Sequence, residues 1–311
     1  MRPSIFLTFD CEDFINDRSI FALRRVLQLL NNYNLKGLFF ITGLLAEKIR
    51  SYPDIIELLE KQEIGYHSSS HSVRPTLIEY ADVENFEQAY QLTLKRETSH
   101  VDPITGNLGG RGGVLAVKDL FPAKRLGAFR APGFCWSPPI LQAMRDLGMK
   151  YDFSTNLSSS LISFKGITFY PLPMNEIITK ASPSSFFSLS KIKINSFLAV
   201  LYTHPDYFVN SVHWDSVYYH GNPSVLKRVD PRSQIEIKSM FRKWELIIKY
   251  LSSLCEKNLV EVTPKFKNGV QVDLDINKIA CEYQHSMKWL RRFEYKPRYI
   301  LNHFYEFFLK R

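Results

Sequence analysis

Alternating and helix-spaced apolar positions take turns along most of this chain. Ile5 to Phe9 is an unbroken apolar run that reads as a buried strand, and Ile20, Leu23, Val26, Leu27 and Leu30 then recur at helical spacing behind the capping residues Asn16 to Ser19. Leu35 to Ile41 predicts a second strand closed by Gly43, followed by a helix from Leu44 that Pro53 interrupts and Ile56 and Leu59 resume. Ile64-Gly65-Tyr66 is a third strand ending at His67. Further on, the pattern predicts a helix from Val83 to about His100, a Gly-rich loop over Gly106 to Gly113, a short strand Gly127 to Phe129, a helix Pro139 to Leu147 stopped by Gly148, and a strand leading into Asp152. Residues 157 to 195 mix strand-like pieces near Ile167 to Leu172 with serine-rich loops. Phe197 to Tyr202 is a strand, Gln234 to Cys255 a long helix and Leu259 to Val262 a last strand.

Strands alternating with amphipathic helices predict an α/β fold, a (β/α) barrel in one domain over residues 1–265, with residues 266–311 as a basic, aromatic, helical C-terminal extension. The length of 311 residues suits that reading, and 45% hydrophobic with 23% charged residues is ordinary for a soluble protein. No internal repeat is visible.

Polar residues at the strand ends change the picture from fold to chemistry. Asp10, His67, Arg130, Asp152 and His204 all fall just past predicted strands, on the rim where barrel enzymes gather catalytic groups. His67 and His71 are four residues apart, a spacing that sets two imidazoles on one face of a helical turn and lets both reach one metal ion. The acids Asp10, Glu12 and Asp13 supply a carboxylate, and strand alternation turns Asp10 and Glu12 to one side and Cys11 and Asp13 to the other. Two histidines and a carboxylate leave a position open for water on a divalent metal such as Zn²⁺. The reading assigns Asp10 as general base and Glu12 as ligand, with Asp13 the alternative ligand. Arg130 would hold the base ionised, Asp152 would orient His204 or pair with Arg130, and His204 would be the general acid.

In order, Thr8 to Asp13, His67 to His71, Arg130 to Pro132, Asp152 and Leu201 to His204 resemble the five motifs of the polysaccharide deacetylase family, the NodB-homology carbohydrate esterases. The resemblance spans about residues 4 to 263. It implies a distorted (β/α) barrel, a divalent metal held by an acid and two histidines, and hydrolysis of an N-acetyl or O-acetyl group on a sugar. It also implies an oxyanion donor from the backbone near Gly133 or Phe134. Cys11 between Asp10 and Glu12 departs from the commonest first motif and leaves the carboxylate ligand open between Glu12 and Asp13, whereas Gly133 after Pro132 and the lack of a tryptophan two or three residues beyond Asp152 imply a substrate grip unlike that of enzymes acting on chitin or peptidoglycan. Two rivals remain: a hydrolase of another C–N bond, as in relatives that open cyclic amides such as allantoin, and an inactive carbohydrate-binding protein.

Net charge refines the partner reading. Of the +9 total, an excess of five lies between Lys288 and Arg311, yet no nucleic-acid motif accompanies it, so no nucleic-acid partner is expected. The expected partner is an N-acetylated carbohydrate or glycolipid, such as a lipid-linked or nucleotide-linked intermediate. Met287, Leu290, Phe293, Phe304 and Phe307 among the tail's basic residues suit either packing on the barrel or peripheral contact with an anionic membrane. Four scattered cysteines, no signal-like N-terminus and no membrane-spanning run make the cytoplasm the expected compartment. Two further segments have open roles. Gly109 to Gly113 with Arg111 is either an anion cradle or a surface loop, and the aromatic segment His204 to Arg232 either stacks on sugar rings or packs over the barrel.

Overall fold

The computed structural model describes all residues except 1, 156, 158–159, 172–174, 178–197, 272–275, 299 and 311, so the serine-rich part of the 157–195 segment lies largely outside the described residues. The chain alternates strands and helices: β1 (Ser4–Cys11), α1 (Asp17–Asn32), β2 (Leu38–Ile41), α2 (Gly43–Ile49), α3 (Pro53–Glu60), β3 (Glu63–Tyr66), α4 (Leu77–Ala81) and α5 (Phe86–Thr98). Then come β4 (His100–Val101), β5 (Leu108–Gly109), α6 (Val114–Leu120), β6 (Ala128–Phe129), α7 (Pro138–Asp146), β7 (Tyr151–Asp152), β8 (Ile162–Phe164), β9 (Ile167–Phe169), β10 (Asn175–Glu176) and β11 (Leu198–Thr203). The long α8 (Gln234–Glu256), β12 (Glu261–Val262) and β13 (Val270–Gln271) lead into the C-terminal helices α9 (Ile276–Ser286) and α10 (Leu301–Phe304), with a 3₁₀ turn Met287–Phe293 between them.

Among the described residues one sheet has the strand order β10-β11-β1-β2-β3-β6-β7-β9-β8-β13, with β12 also on β1. All its pairings are parallel except the β8–β9 hairpin. It curls into a distorted (β/α) half-barrel, the fold class that the alternating pattern predicts.

Alternation along β1 explains the two cores. Ile5, Leu7, Phe9 and Cys11 join the outer core under the helices, where Phe9 stacks on Phe39 and meets Trp244 of α8 edge-on. Phe6 points the other way, into an inner aromatic plug with Phe40, Phe153 and Tyr170. The same inward register carries Thr8 and Asp10 above the plug, and Glu12 follows. Apolar filling therefore closes the lower part of the half-barrel and leaves polar side chains at the carboxyl ends of the strands.

Local details differ from the pattern. Helices α4 and α6 lie in stretches for which the pattern predicts no element: α4 starts where Glu79 accepts from the Thr76 N–H, and α6 starts on the positive-φ Gly113. The Gly-rich loop is partly the β4–β5 hairpin. Arg111, offered as an anion ligand, is engaged by Asp119 at 2.8 Å. The tail's Met287, Leu290, Phe293, Phe304 and Phe307 are buried, with Phe304 edge-on to Tyr283 and Phe308 stacked on Phe164 of β8, so its apolar face packs inward. Among the described residues no helix is long and apolar enough to cross a membrane.

Candidate active site

β1, β3, β6 and β11 each deliver one part of the site. Glu12, just past β1, is buried with Oε2 2.7 Å from His71 Nε2 and 3.2 Å from His67 Nε2. One ligand atom from each of these three side chains lies within 4.8 Å of the others, the one such cluster among the described residues. Beside it, Asp10 Oδ1 accepts from Arg130 Nη1 at 2.6 Å, and Asp10 Oδ2 lies 3.7 Å from His204 Nε2. Thr8 Oγ1 takes a second Arg130 nitrogen at 2.9 Å, and the guanidinium lies over the Phe40 ring.

Hydrogen bonds fix which nitrogen each imidazole offers. His67 Nδ1 is 2.7 Å from the Arg130 carbonyl oxygen, which can only accept, so Nδ1 carries the hydrogen. The neutral ring then turns its Nε2 lone pair toward the Glu12 carboxylate. His71 Nδ1 is 2.6 Å from Ser72 Oγ, whose hydroxyl donates to Asp215 Oδ2 at 2.6 Å, which leaves His71 Nε2 likewise a lone pair aimed at Glu12. Three acceptors facing one point repel unless a proton or a cation lies between them, so the donor set fits a divalent metal. Burial alone would raise the Glu12 pKa, but when no metal is bound, protons on His71, His67 and His204 outweigh it and hold the carboxyl well below its usual range, supplying the positive charge that a cation would bring instead. Burial pushes His71 down, toward the neutral ring that a metal requires.

Sequence comparison bears on the N-terminal part of the chain. Residues 1–106 match the polysaccharide deacetylase family. This stretch contains the first two motifs, Thr8 to Asp13 and His67 to His71, and bears out the resemblance read from them. No curated protein matches the chain. Among solved structures, 4-alpha-glucanotransferase from Thermococcus litoralis is similar at 12% identity and a TM-score of 0.52, over 98% of this chain and 50% of that one. A mutant of BA3943, a CE4 family pseudoenzyme from Bacillus anthracis, with restored enzymatic activity, is 13% identical at a TM-score of 0.42, over 84% of this chain and 65% of that one. A CE4 esterase from Streptococcus mutans is 16% identical at a TM-score of 0.44, over 87% of both chains. The chain thus spans half to about two thirds of the first two of these proteins. At such identities the likeness is one of fold.

The sequence motifs are placed differently from their simplest reading. His67 and His71 are not on a helix. They sit in a loop after β3 in which Ser68 and His71 adopt positive φ, 71° and 56°, and these two left-handed residues bring the rings to 5.2 Å between centroids. Asp13, the alternative ligand, is turned away. Its carboxylate accepts from Ile15 N, Asn16 N, Ser19 Oγ and Asn210 Nδ2 at the start of α1 and has no lone pair directed at the cluster. Asp152 touches neither His204 nor Arg130: its Oδ2 accepts from the backbone of Ser154 and Thr155, and its Oδ1 is buried without a partner. The residue on His204 is Glu176 of β10, 3.0 Å from Nδ1. Burial opposes a charge on His204, but Glu176, Glu12 and Asp10 raise its pKa to about 10. At the third motif the Phe134 N–H, one of the two backbone donors expected for an oxyanion, is committed to Ala131 O.

Several functional neighbours carry no local signal. Within the aromatic segment, Trp214 Nε1 donates to Glu12 Oε1 at 2.8 Å, and His213 and Asp215 flank it with a 2.7 Å contact between them. These rings are buried over the site rather than presented to solvent. From the other side Arg96 and Glu97, fully buried at the end of α5, hold the histidine loop. Glu97 Oε2 accepts from Tyr66 Oη at 2.6 Å and Ser69 N at 3.0 Å, and Arg96 Nη2 donates to Ser70 Oγ at 2.7 Å. Gly113 is required here, since a Cβ would come within 2.3 Å of Glu97 O and 2.4 Å of Ser69 Oγ.

Proposed function

We propose that this protein is a metal-dependent hydrolase that removes an acetyl group from an N-acetylated sugar or glycan intermediate. The observation that carries the reading is the convergence of Glu12, His67 and His71 beside the Asp10–Arg130 pair and His204. When bound there, a divalent cation, for which Zn²⁺ suits two imidazoles and one carboxylate, supplies Lewis acidity to the acetyl carbonyl and acidifies the attacking water.

The remaining roles fall to the chain's own groups. Asp10, oriented by Arg130, takes the proton from water as it attacks the amide carbon. The amide carbon becomes tetrahedral, and the Gly133 N–H is placed to donate to its oxygen. His204, protonated through Glu176, gives its proton to the leaving amine as the C–N bond breaks, so acetate and a free amine result. Trp214 fixes the second oxygen of Glu12 and keeps water from it.

An acetate-release assay over acetylated amino sugars, run on protein reconstituted with zinc, tests the reading. Release that disappears in Asp10→Asn supports it. A metal-loaded protein that releases no acetate from any of them, or that instead opens a cyclic amide, overturns it.

A further inference from the structure

The 3₁₀ turn Met287–Phe293 is built with two faces. Met287, Leu290 and Phe293 are buried, while Lys288, Arg291 and Arg292 point outward. Between the faces Trp289 reaches the site, edge-on to His71 at 5.4 Å and so close to Gly133 that a Cβ there would lie 2.2 Å from the indole. The positive φ of Gly133, 56°, belongs to the same fit.

Two cavities flank this turn. One, of about 230 Å³, lies between Gly133 and Phe134 of the third motif, Ser154, and Lys288 with Trp289. The other, of about 210 Å³, is ringed by Lys288, Arg291 and Lys296 together with Tyr283 and Tyr295, and no acidic residue lines it. Lys288 belongs to both walls. Among the described residues none of these three cations has an ion-pair partner, whereas Arg298 and Lys310 of the same tail are paired with Asp82 and Glu306. Like charges gathered around one concavity repel one another and focus a field that an anion relieves.

We propose that the cavity ringed by Lys288, Arg291 and Lys296 is an anion subsite, and that it selects substrates in which the acetamido sugar carries a phosphate or diphosphate. The inference rests on the deacetylase reading and deepens it. The acetamido group is presented at Glu12, His67 and His71, the sugar runs past Trp289 and Gly133, and the phosphate is met by the three cations. Arginine and lysine suit that role because they donate charge-assisted bonds to phosphate oxygens. The shared chemistry is the phosphate, whether its far side is a nucleoside or a lipid.

The test compares acetate release by the zinc-loaded full chain on four substrates: methyl N-acetylglucosaminide, N-acetylglucosamine 1-phosphate, its uridine diphosphate derivative and its polyprenyl diphosphate derivative in detergent. Expected is a kcat/KM for phosphate-bearing substrates on the order of 10- to 100-fold above the methyl glycoside, as charge-assisted bonds give. The gap is expected mainly in KM, to shrink with added salt, and to close in the Lys288→Ala/Arg291→Ala double variant. Separation of the nucleotide and lipid arms identifies the far side. Equal kcat/KM for neutral and phosphorylated sugars, or a gap that survives in the double variant, overturns the subsite. Loss of binding to phosphatidylglycerol vesicles in the double variant with no substrate preference also overturns it and makes the patch a membrane contact. If no substrate releases acetate, the deacetylase reading fails separately, and calorimetry with inorganic pyrophosphate still decides the anion site: binding that needs Lys288 and Arg291 upholds it, and no binding overturns it.

Discussion

His67 Nδ1 lies 2.7 Å from the main-chain oxygen of Arg130, so the second and third motifs are tied by a hydrogen bond that also chooses the nitrogen facing Glu12. The proposed metal ligand is thereby oriented by the residue that also binds Asp10, the proposed base. His67→Ala and Glu12→Gln are expected to abolish tight metal binding, whereas the unaltered protein retains about one divalent ion per chain after dialysis. Elemental analysis checks this, and a full equivalent retained by His67→Ala would place the metal elsewhere.

Ser72 and Asp215 form a relay behind His71. Removing such a partner weakens metal binding by roughly 10- to 100-fold while leaving the ligands in place. Ser72→Ala and Asp215→Asn are therefore expected to give up zinc to a competing chelator at correspondingly lower concentration, with far-ultraviolet circular dichroism unchanged. Zinc affinity equal to that of the unaltered protein would show that His71 needs no such support.

The Arg96–Glu97 pair is buried without water access, and Glu97 also serves Tyr66 and Ser69. Deleting one partner of a buried pair typically costs roughly 3–5 kcal/mol, because the other charge is stranded. Glu97→Ala is expected to lose stability of that order in urea unfolding, and Tyr66→Phe, which removes one hydrogen bond to the carboxylate and strands no charge, the smaller loss of about 1.5–3 kcal/mol. Equal losses would mean that the pair acts as a single hydrogen bond rather than as a charge anchor.

His204 supplies a pH prediction for the metal-free protein. Its pKa is raised from 6.5 in the unfolded chain to about 10. The proton is bound more tightly when folded, so the stabilisation is complete below about pH 6.5 and is lost as pH rises through about 10. The urea midpoint of chelator-treated protein is expected to fall across that window. In Glu176→Gln the fall should be shallower, since the contact at Nδ1 loses its charge. Parallel pH profiles for the two proteins would remove Glu176 as the cause.

Much of the scaffold was legible in the linear order of residues, because the features that encode it act over a few positions. Alternation in β1 separates Phe9 from Asp10, the helical spacing of Ile20, Leu23, Val26, Leu27 and Leu30 sets the buried face of α1, and Pro53 opens a new helix. The strand ends therefore pointed to Asp10, His67, Arg130, Asp152 and His204, and local spacing added Glu12 and His71. Tertiary structure decided how these residues divide the work. Asp13 is spent on the start of α1, Asp152 on its own turn, and Glu176 rather than Asp152 lies against His204. It also brought Trp214 onto Glu12 across 202 positions and Arg130 onto Asp10 across 120. Such contacts leave no periodic trace in a sequence, because the curl of the sheet, and not chain neighbourhood, sets the distance between them. For the same reason the chain could state that its tail is basic, but only the fold could set that charge beside the ring that lies on His71.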